Sequence, residues 1–241
     1  MSRYFLYEEK GLSREARAAR RQAFFSESLT SFLTEASRGG GPDRAAALAV
    51  LREGGEPAVR YNSAGKPYFS DPGLTGIYFS VSDTAGLRAV EFAREEIGLD
   101  AENAAARGLD KARMRRLADR CFTKAEREWL WEAGECPRTL SESLSENGFA
   151  PGTPDRFFWL WTRKEAYVKF TGRGIAQGLN TFSVLDDAPA RIETGRADGY
   201  KDIIVSSCRM LCAGNGDGSC GASRLREPQE PSPLPAQEVF L

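Results

Sequence analysis

Ile97-Gly98-Leu99-Asp100-Ala101-Glu102 alternates apolar and acidic side chains with the period of a strand. Side chains two apart on a strand point the same way, so Ile97, Leu99 and Ala101 share one face, and Asp100 and Glu102 the other. Upstream, Thr75 to Val81 alternates in the same manner, with Ile77, Phe79 and Val81 on one face and Tyr78 and Ser80 on the other. That pattern predicts a half-buried strand. Leu87 to Phe92 reads as a second strand, and Arg94-Glu95-Glu96 as a short polar turn before the acidic strand.

A second acidic piece lies on a helix. Arg156 to Phe170 is rich in aromatic residues and is closed by Gly172-Arg173-Gly174. Trp161, Glu165 and Lys169 are spaced by four and so share one helix face. Phe157 and Phe158 read as core. Taken alone, Glu165 and Lys169 could form an exposed ion pair contributing about 0.3–0.5 kcal/mol, and Asp100 and Glu102 a solvated strand face. Taken together, three carboxylates suit a hard cation such as Mg2+, and the flanking lysines suit a phosphate that the cation also touches.

The rest of the chain supplies the frame. Ser13 to about Arg38 predicts a helix capped by Ser13, interrupted at Gly39-Gly40-Gly41-Pro42; Asp43 to Leu51 predicts a second helix ending near Gly54-Gly55. Leu109 to Phe122 has helical spacing, and Thr123-Lys124-Ala125-Glu126 restarts a helix with a capping box. Gly134 to Pro154 predicts a long loop. Thr181 to Leu185 and Ile203 to Val205 predict short strands, and the Gly-, Ser- and Pro-rich stretch from Gly214 to Pro235 a poorly ordered tail. No close repeat is visible, and this order of elements indicates an α+β protein.

With 241 residues, 41% hydrophobic, the chain can bury a substantial core. A net charge of -1 argues against a general nucleic-acid binder. The absence of an apolar run near the roughly 20 residues of a membrane span, and of a signal-peptide pattern at Met1-Ser2-Arg3-Tyr4-Phe5, points to a cytoplasmic protein. The five cysteines (Cys121, Cys136, Cys208, Cys212, Cys220) contain no CxxC and read as reduced thiols. The chain has no histidine, which removes Ser-His-Asp and Cys-His catalysis and His-ligated zinc.

The two acidic pieces, with Gly65-Lys66-Pro67 ahead of them, carry a resemblance. Gly98-Leu99-Asp100-Ala101-Glu102 is a GxDxE strand, and Trp161 to Lys169 is a WxxKEAxxK helix. With the GKP turn and in this order, the chain resembles the Sfp-type 4'-phosphopantetheinyl transferases from about Asn62 to Leu185. GxDxE alone is a weak mark; the three together are specific.

The resemblance implies two similar α/β halves forming a pseudo-dimer: an N-terminal half over 1–103, a C-terminal half over 104–213, and a tail over 214–241. It implies a monomer, with coenzyme A between the halves and Mg2+, or Mn2+ in its place, held by Asp100, Glu102 and Glu165. Lys66, Lys164 and Lys169 would neutralise phosphate charge, beside Pro67 and the hydroxyls of Ser82 and Thr84. The reaction implied is attack by a serine of an apo acyl or peptidyl carrier protein on the β-phosphate of coenzyme A, releasing 3',5'-ADP, with Lys169 assisting. In Phe122-Thr123-Lys124-Ala125-Glu126 the family pattern points to Glu126 as the base, while the capping box offers the same side chain a structural role. Arg14 and Arg17, ahead of Arg20 and Arg21, are candidates for the 3'-phosphate; Arg163 and Arg173 are candidates for steering an acidic carrier.

The sequence departs from the family at one point. Ser80-Val81-Ser82-Asp83-Thr84 stands where relatives carry a phosphate-binding histidine, and Asp83 replaces it. A carboxylate beside a pyrophosphate repels it unless protonated, turned away or bridged by a cation. Weakened or rearranged coenzyme A binding is expected, and Asp83→His is expected to tighten it. Two alternatives follow: a degenerate member that binds coenzyme A or a carrier without turnover, and a metal-dependent phosphohydrolase with no carrier.

Overall fold

Where apolar residues recur every second position, the chain forms antiparallel sheets, and where they recur every third or fourth it forms helices. The computed structural model describes residues 2–7, 11–35, 42–132, 150–174, 178–185 and 190–210. The elements run β1 (Ser2–Tyr7), α1 (Arg14–Glu35), α2 (Pro42–Arg52), β2 (Val59–Tyr61), β3 (Pro67–Phe69), β4 (Tyr78–Thr84), β5 (Leu87–Ala93), β6 (Ile97–Asn103), α3 (Lys111–Cys121), α4 (Lys124–Trp131), α5 (Pro154–Thr171), β7 (Ala190–Ala197) and β8 (Tyr200–Met210). All lie within Met1–Leu211, which forms one compact unit.

Among the described residues, two three-stranded sheets, ordered β1-β5-β4 and β6-β8-β7, and a β2-β3 hairpin make up the strands, and every strand pair is antiparallel. One face of the first sheet packs on α1 and α2 through Leu29, Phe32, Leu33, Phe79 and Phe92. The second sheet packs on α5, whose Phe157, Phe158 and Trp159 join Phe122 and Leu130 in a second core. Leu87 and Ala89 of β5 meet Leu99 and Ala101 of β6 and Ile203 and Val205 of β8 in a third cluster, which ties the sheets together.

Local chemistry sets the boundaries. Ser13 Oγ accepts from Ala16 N at the start of α1. Thr123 and Glu126 form both bonds of a capping box on α4. Thr153 caps α5, which ends at Gly172 with φ 63°, a left-handed conformation that glycine adopts without a Cβ clash.

Two expectations are corrected, and two strands are added. Thr181 to Leu185 is not a strand: a 3-10 turn spans Leu179–Thr181, and no ladder follows it. The backbone groups there bond to side chains instead. β1 and β7 are strands that periodicity did not single out, and β8 is far longer than Ile203 to Val205. The first sheet ends with β5 at Ala93, and β6 pairs with β8 in the second. Most of the loop expected over 134–154, the break at 39–41 and the tail beyond 213 lie outside the described residues.

Candidate active site

Gly98 decides how closely α5 approaches β6. A Cβ there would lie 2.0 Å from Ala166 O and 2.3 Å from Phe170 N, so only a glycine admits the helix backbone. That approach brings Lys169 Nζ to 2.8 Å from Asp100 Oδ1 and 3.4 Å from Val81 O.

On its other side β6 is held by hydroxyls. Ser80 Oγ, Ser82 Oγ and Thr84 Oγ1, alternate residues on β4, accept from Leu99 N, Ala101 N and Asn103 N at 2.9, 3.1 and 2.9 Å. Ser82 Oγ donates onward to Asp100 Oδ1 at 2.8 Å, and Thr84 Oγ1 to Glu102 Oε2 at 3.2 Å. Both hydroxyls, expected as phosphate donors, are spent on the two carboxylates.

Asp100 and Glu102 are buried, and Glu165 is half-buried on α5. Arg107, which motif reading missed, clasps Glu102: Nη2 lies 2.6 Å from Oε1 and Nε 3.1 Å from Oε2. It follows the strand by a single turn; nothing in its spacing marks it as a partner. Burial raises the pKa of Glu102 against the lowering effect of that bond. Glu165 is also raised, first by burial and next by the charge of Asp100, with Lys169 opposing.

These carboxylates thus feel one another, yet among the described residues no three acidic, cysteine or histidine side chains are drawn together as a metal-holding group. Lys169 and Arg107 take the place of a cation on Asp100 and Glu102. A hard cation still fits the donor set: Asp100 Oδ2 is buried without a hydrogen-bond partner, and Asp100 disfavours ionisation of Glu165.

Two hollows adjoin along β4. The smaller, about 320 Å³, is lined by Gly65, Lys66, Pro67, Ser80, Glu165 and Lys169 among others. The larger, an open cleft of about 820 Å³, is lined by Arg14, Arg17, Arg21 and Arg88, with Glu56 and Tyr61. Pro67, Phe79 and Val81 border both. Lys66 Nζ pairs with Glu96 and donates to Phe170 O at 2.9 Å and Ile97 O at 3.3 Å, so it also ties the GKP turn to the end of α5 and the start of β6. Asp83, at the departure from the family pattern, is exposed and bridged, 3.6 Å from both Arg21 Nη2 and Arg88 Nη1.

Residues 96–212, which hold the acidic strand, α5 and the second sheet, match the family model of the 4'-phosphopantetheinyl transferase superfamily. This stretch of the chain is similar to that superfamily. The chain is 31% identical over 156 residues to 4'-phosphopantetheinyl transferase HetI of Nostoc sp., covering 63% of this chain and 57% of the relative. It is 27% identical over 157 residues to 4'-phosphopantetheinyl transferase Sfp of Bacillus subtilis, covering 59% of this chain and 60% of the relative. The chain thus spans a little over half the length of these curated relatives.

Three residues that the transferase motifs put forward do not reach either hollow. Glu126 and Lys164 are fully buried and paired at 2.9 Å. Glu126 also accepts from Thr123 N at 2.7 Å and Val184 N at 2.8 Å, while Lys164 donates to Leu179 O at 2.7 Å and Phe182 O at 2.6 Å. Desolvation lowers the pKa of Lys164, with Glu126 opposing. With its oxygens engaged, Glu126 has no path to a carrier serine, and Lys164 none to a phosphate; the pair fastens α4 and α5 to the chain at 179–184. Arg163 is equally buried, bonded to Val184 O and Ile192 O at 2.8 Å each, and cannot steer a carrier. Arg173 is exposed, and Phe157 and Phe158 are core, as read.

Proposed function

We propose that this chain transfers the 4'-phosphopantetheine group of coenzyme A to a serine of an apo acyl or peptidyl carrier protein. The observation that carries the reading is the junction of β6 and α5. It puts Glu165 and Lys169 at the wall of a hollow that adjoins an arginine-lined cleft. That run of acid, lysine and arginine suits an extended ligand with a central diphosphate and a separate terminal phosphate. The two sheets, each with a long helix, support a pseudo-dimer of similar halves with coenzyme A between them.

Asp100, Glu102 and Glu165 would hold Mg2+, or Mn2+ in its place, and the bound ion supplies charge neutralisation at the diphosphate oxygens. Lys169, on the wall of the hollow, and Lys66 add ammonium charge beside the same oxygens. Arg14 and Arg17, with Arg21 and Arg88 in the same cleft, receive the terminal phosphate. The serine oxygen forms a bond to the β-phosphorus, and the bond from that phosphorus to the bridging oxygen breaks. The electron pair leaves on 3',5'-ADP, and the charge building there is what the lysines stabilise. With Glu126 buried, the hydroxyl proton falls to Glu165, the carboxylate that borders the hollow.

Incubation with coenzyme A, Mg2+ and an apo carrier, followed by mass spectrometry of the carrier, tests this. A gain of one phosphopantetheine is expected, abolished by Glu165→Ala. Coenzyme A binding without a mass gain would leave a binding-only member of the superfamily; phosphate release without a carrier would leave a phosphohydrolase.

A further inference from the structure

We infer that Asp83 is a displaceable counter-ion, standing on Arg88 and Arg21 in place of a phosphate monoester and setting how tightly the arginine-lined cleft holds one. The inference rests on the proposed function for the source of the phosphate but not for the placement of the residues.

Register puts Asp83 there. Phe79 and Val81 border the cleft, and Asp83 is the next residue on that face of β4. On the neighbouring strand it stands directly opposite Arg88, which also lines the cleft. Directly opposed side chains on an antiparallel pair lie on one face and interact. Arg21 reaches the same carboxylate from α1, so one acid joins a helix cation and a strand cation at the edge of the cleft.

The pairing is loose. Both nitrogens lie 3.6 Å from Asp83 Oδ1, beyond an ordinary charge-assisted hydrogen bond. The three side chains are 41%, 28% and 20% exposed for Asp83, Arg21 and Arg88, so water screens the attraction. Arg88 Nε is buried and lacks a hydrogen-bond partner, which leaves its guanidinium with a donor that Asp83 does not satisfy. A phosphate monoester has three terminal oxygens and up to two charges, so it can engage donors that a single carboxylate oxygen leaves idle. Asp83 therefore acts in two directions: it holds Arg88 and Arg21 at the cleft when no anion is bound, and it competes with the anion that enters.

This is a positioning role, and a double-mutant cycle tests it. Calorimetry with adenosine 3',5'-bisphosphate, without carrier or metal, compares the native chain, Asp83→Asn, Arg88→Ala and the double variant; dephospho-coenzyme A, which has no phosphate monoester, serves as control. Asp83→Asn is expected to tighten the bisphosphate about two- to fivefold, as expected for losing a partly screened like charge. Asp83→Glu, which restores the charge, is expected to return binding towards native. The gain should vanish in the Arg88→Ala background and be absent for dephospho-coenzyme A. Unchanged or weaker binding by Asp83→Asn, a gain that survives Arg88→Ala, an equal gain for dephospho-coenzyme A, or no binding by any variant would overturn the inference. Bisphosphate binding with this coupling, in a chain that fails to load a carrier, would refute the transfer reading and support this one.

Discussion

Ser82 Oγ lies 2.8 Å from Asp100 Oδ1 and 3.1 Å from Ala101 N, so one hydroxyl both closes a gap between two sheets and aims a carboxylate. A serine hydroxyl has one hydrogen to give and lone pairs to receive. Receiving from the β6 backbone leaves that hydrogen for Asp100, whose other oxygen, Oδ2, is then left without a partner. Ser80, Ser82 and Thr84 recur every second residue because β6 presents its free N–H groups to β4 at every second residue. A stretch that aligns with a ligand-binding segment is, in this chain, first the seam between its sheets.

Replacing Ser82 with alanine strands the buried Ala101 N–H and frees Asp100 to rotate. The expected cost is about 1–3 kcal/mol of stability, the range for a buried donor left unsatisfied. Ser80→Ala strands Leu99 N and should cost a similar amount, but Ser80 makes no bond to Asp100. Urea unfolding of both variants should give comparable losses, while carrier loading should fall much further in Ser82→Ala. Equal loss of loading in the two would show that Ser82 acts through stability alone.

Gly98→Ala should separate β6 from α5. The added Cβ meets backbone on α5 at 2.0 and 2.3 Å, and backbone cannot turn aside as a side-chain tip can. Overpacking of this kind costs about 3 kcal/mol, and the shift would carry Glu165 and Lys169 away from Asp100. A lowered Tm together with loss of carrier loading in protein that remains folded by circular dichroism is the expected result. Native loading would mean that the approach of helix to strand does not set the geometry.

The parts of the fold legible in the sequence were those whose burial alternates cleanly. β4, β5 and β6 and the helix α5 were readable from periodicity, and the glycine after α5 from its role as a stop. Phe182 and Val184 also alternate, yet no strand forms there. Leu179 O and Phe182 O accept from Lys164, and Val184 N donates to Glu126, so a buried ion pair takes the groups a ladder would need. β7 was hidden by Arg191 and Glu193 on its outer face, and β8 by Ser206 and Ser207, which are buried and read as polar. Ser206 is satisfied by Thr162 at 2.7 Å and Thr194 at 2.9 Å, a partnership across three elements that no local window displays. At the site, motif spacing singled out Lys169 and Asp100, which the fold joins at 2.8 Å, but not Arg107 or Arg88. Nor could it tell which of the two lysines in the α5 motif turns inward: Lys164 faces the core and Lys169 the hollow, five residues apart on one helix.

The Glu126–Lys164 pair should behave as a structural clamp. Removing one partner of a buried ion pair leaves an uncompensated charge and costs about 3–5 kcal/mol. Glu126→Gln also loses an acceptor for Thr123 N or Val184 N, because an amide has a single acceptor oxygen. Glu126→Gln and Lys164→Met should each lower the urea midpoint strongly, and the double variant should lose less than the sum of the two. Additive losses in this cycle would mean that the two side chains do not depend on each other. A stable Glu126→Gln protein with no carrier loading would restore Glu126 to the catalytic role its sequence context implies.

The pH response should run in opposite directions with and without a divalent metal ion. Burial, and then the charge of Asp100, holds the Glu165 carboxyl above its ordinary 4.5; burial does the same for Glu102. A carboxyl whose folded pKa exceeds its unfolded one binds its proton more readily in the native state. Its contribution to stability is fully present below the unfolded pKa and is lost as pH rises through the folded value. Without metal, the Tm of the native chain relative to Glu165→Gln should therefore fall as pH is raised from about 4 to about 8, the window bracketing a raised carboxyl. Divalent cations take the ionised carboxylate, so stabilisation by added Mg2+ should grow over the same window and be much reduced in Glu165→Gln. Differential scanning calorimetry across that range, with Mg2+ and with a chelator, reads both slopes. A metal-free difference that stays flat would mean that Glu165 titrates as a solvated carboxyl, and a Mg2+ effect undiminished in Glu165→Gln would place the ion elsewhere.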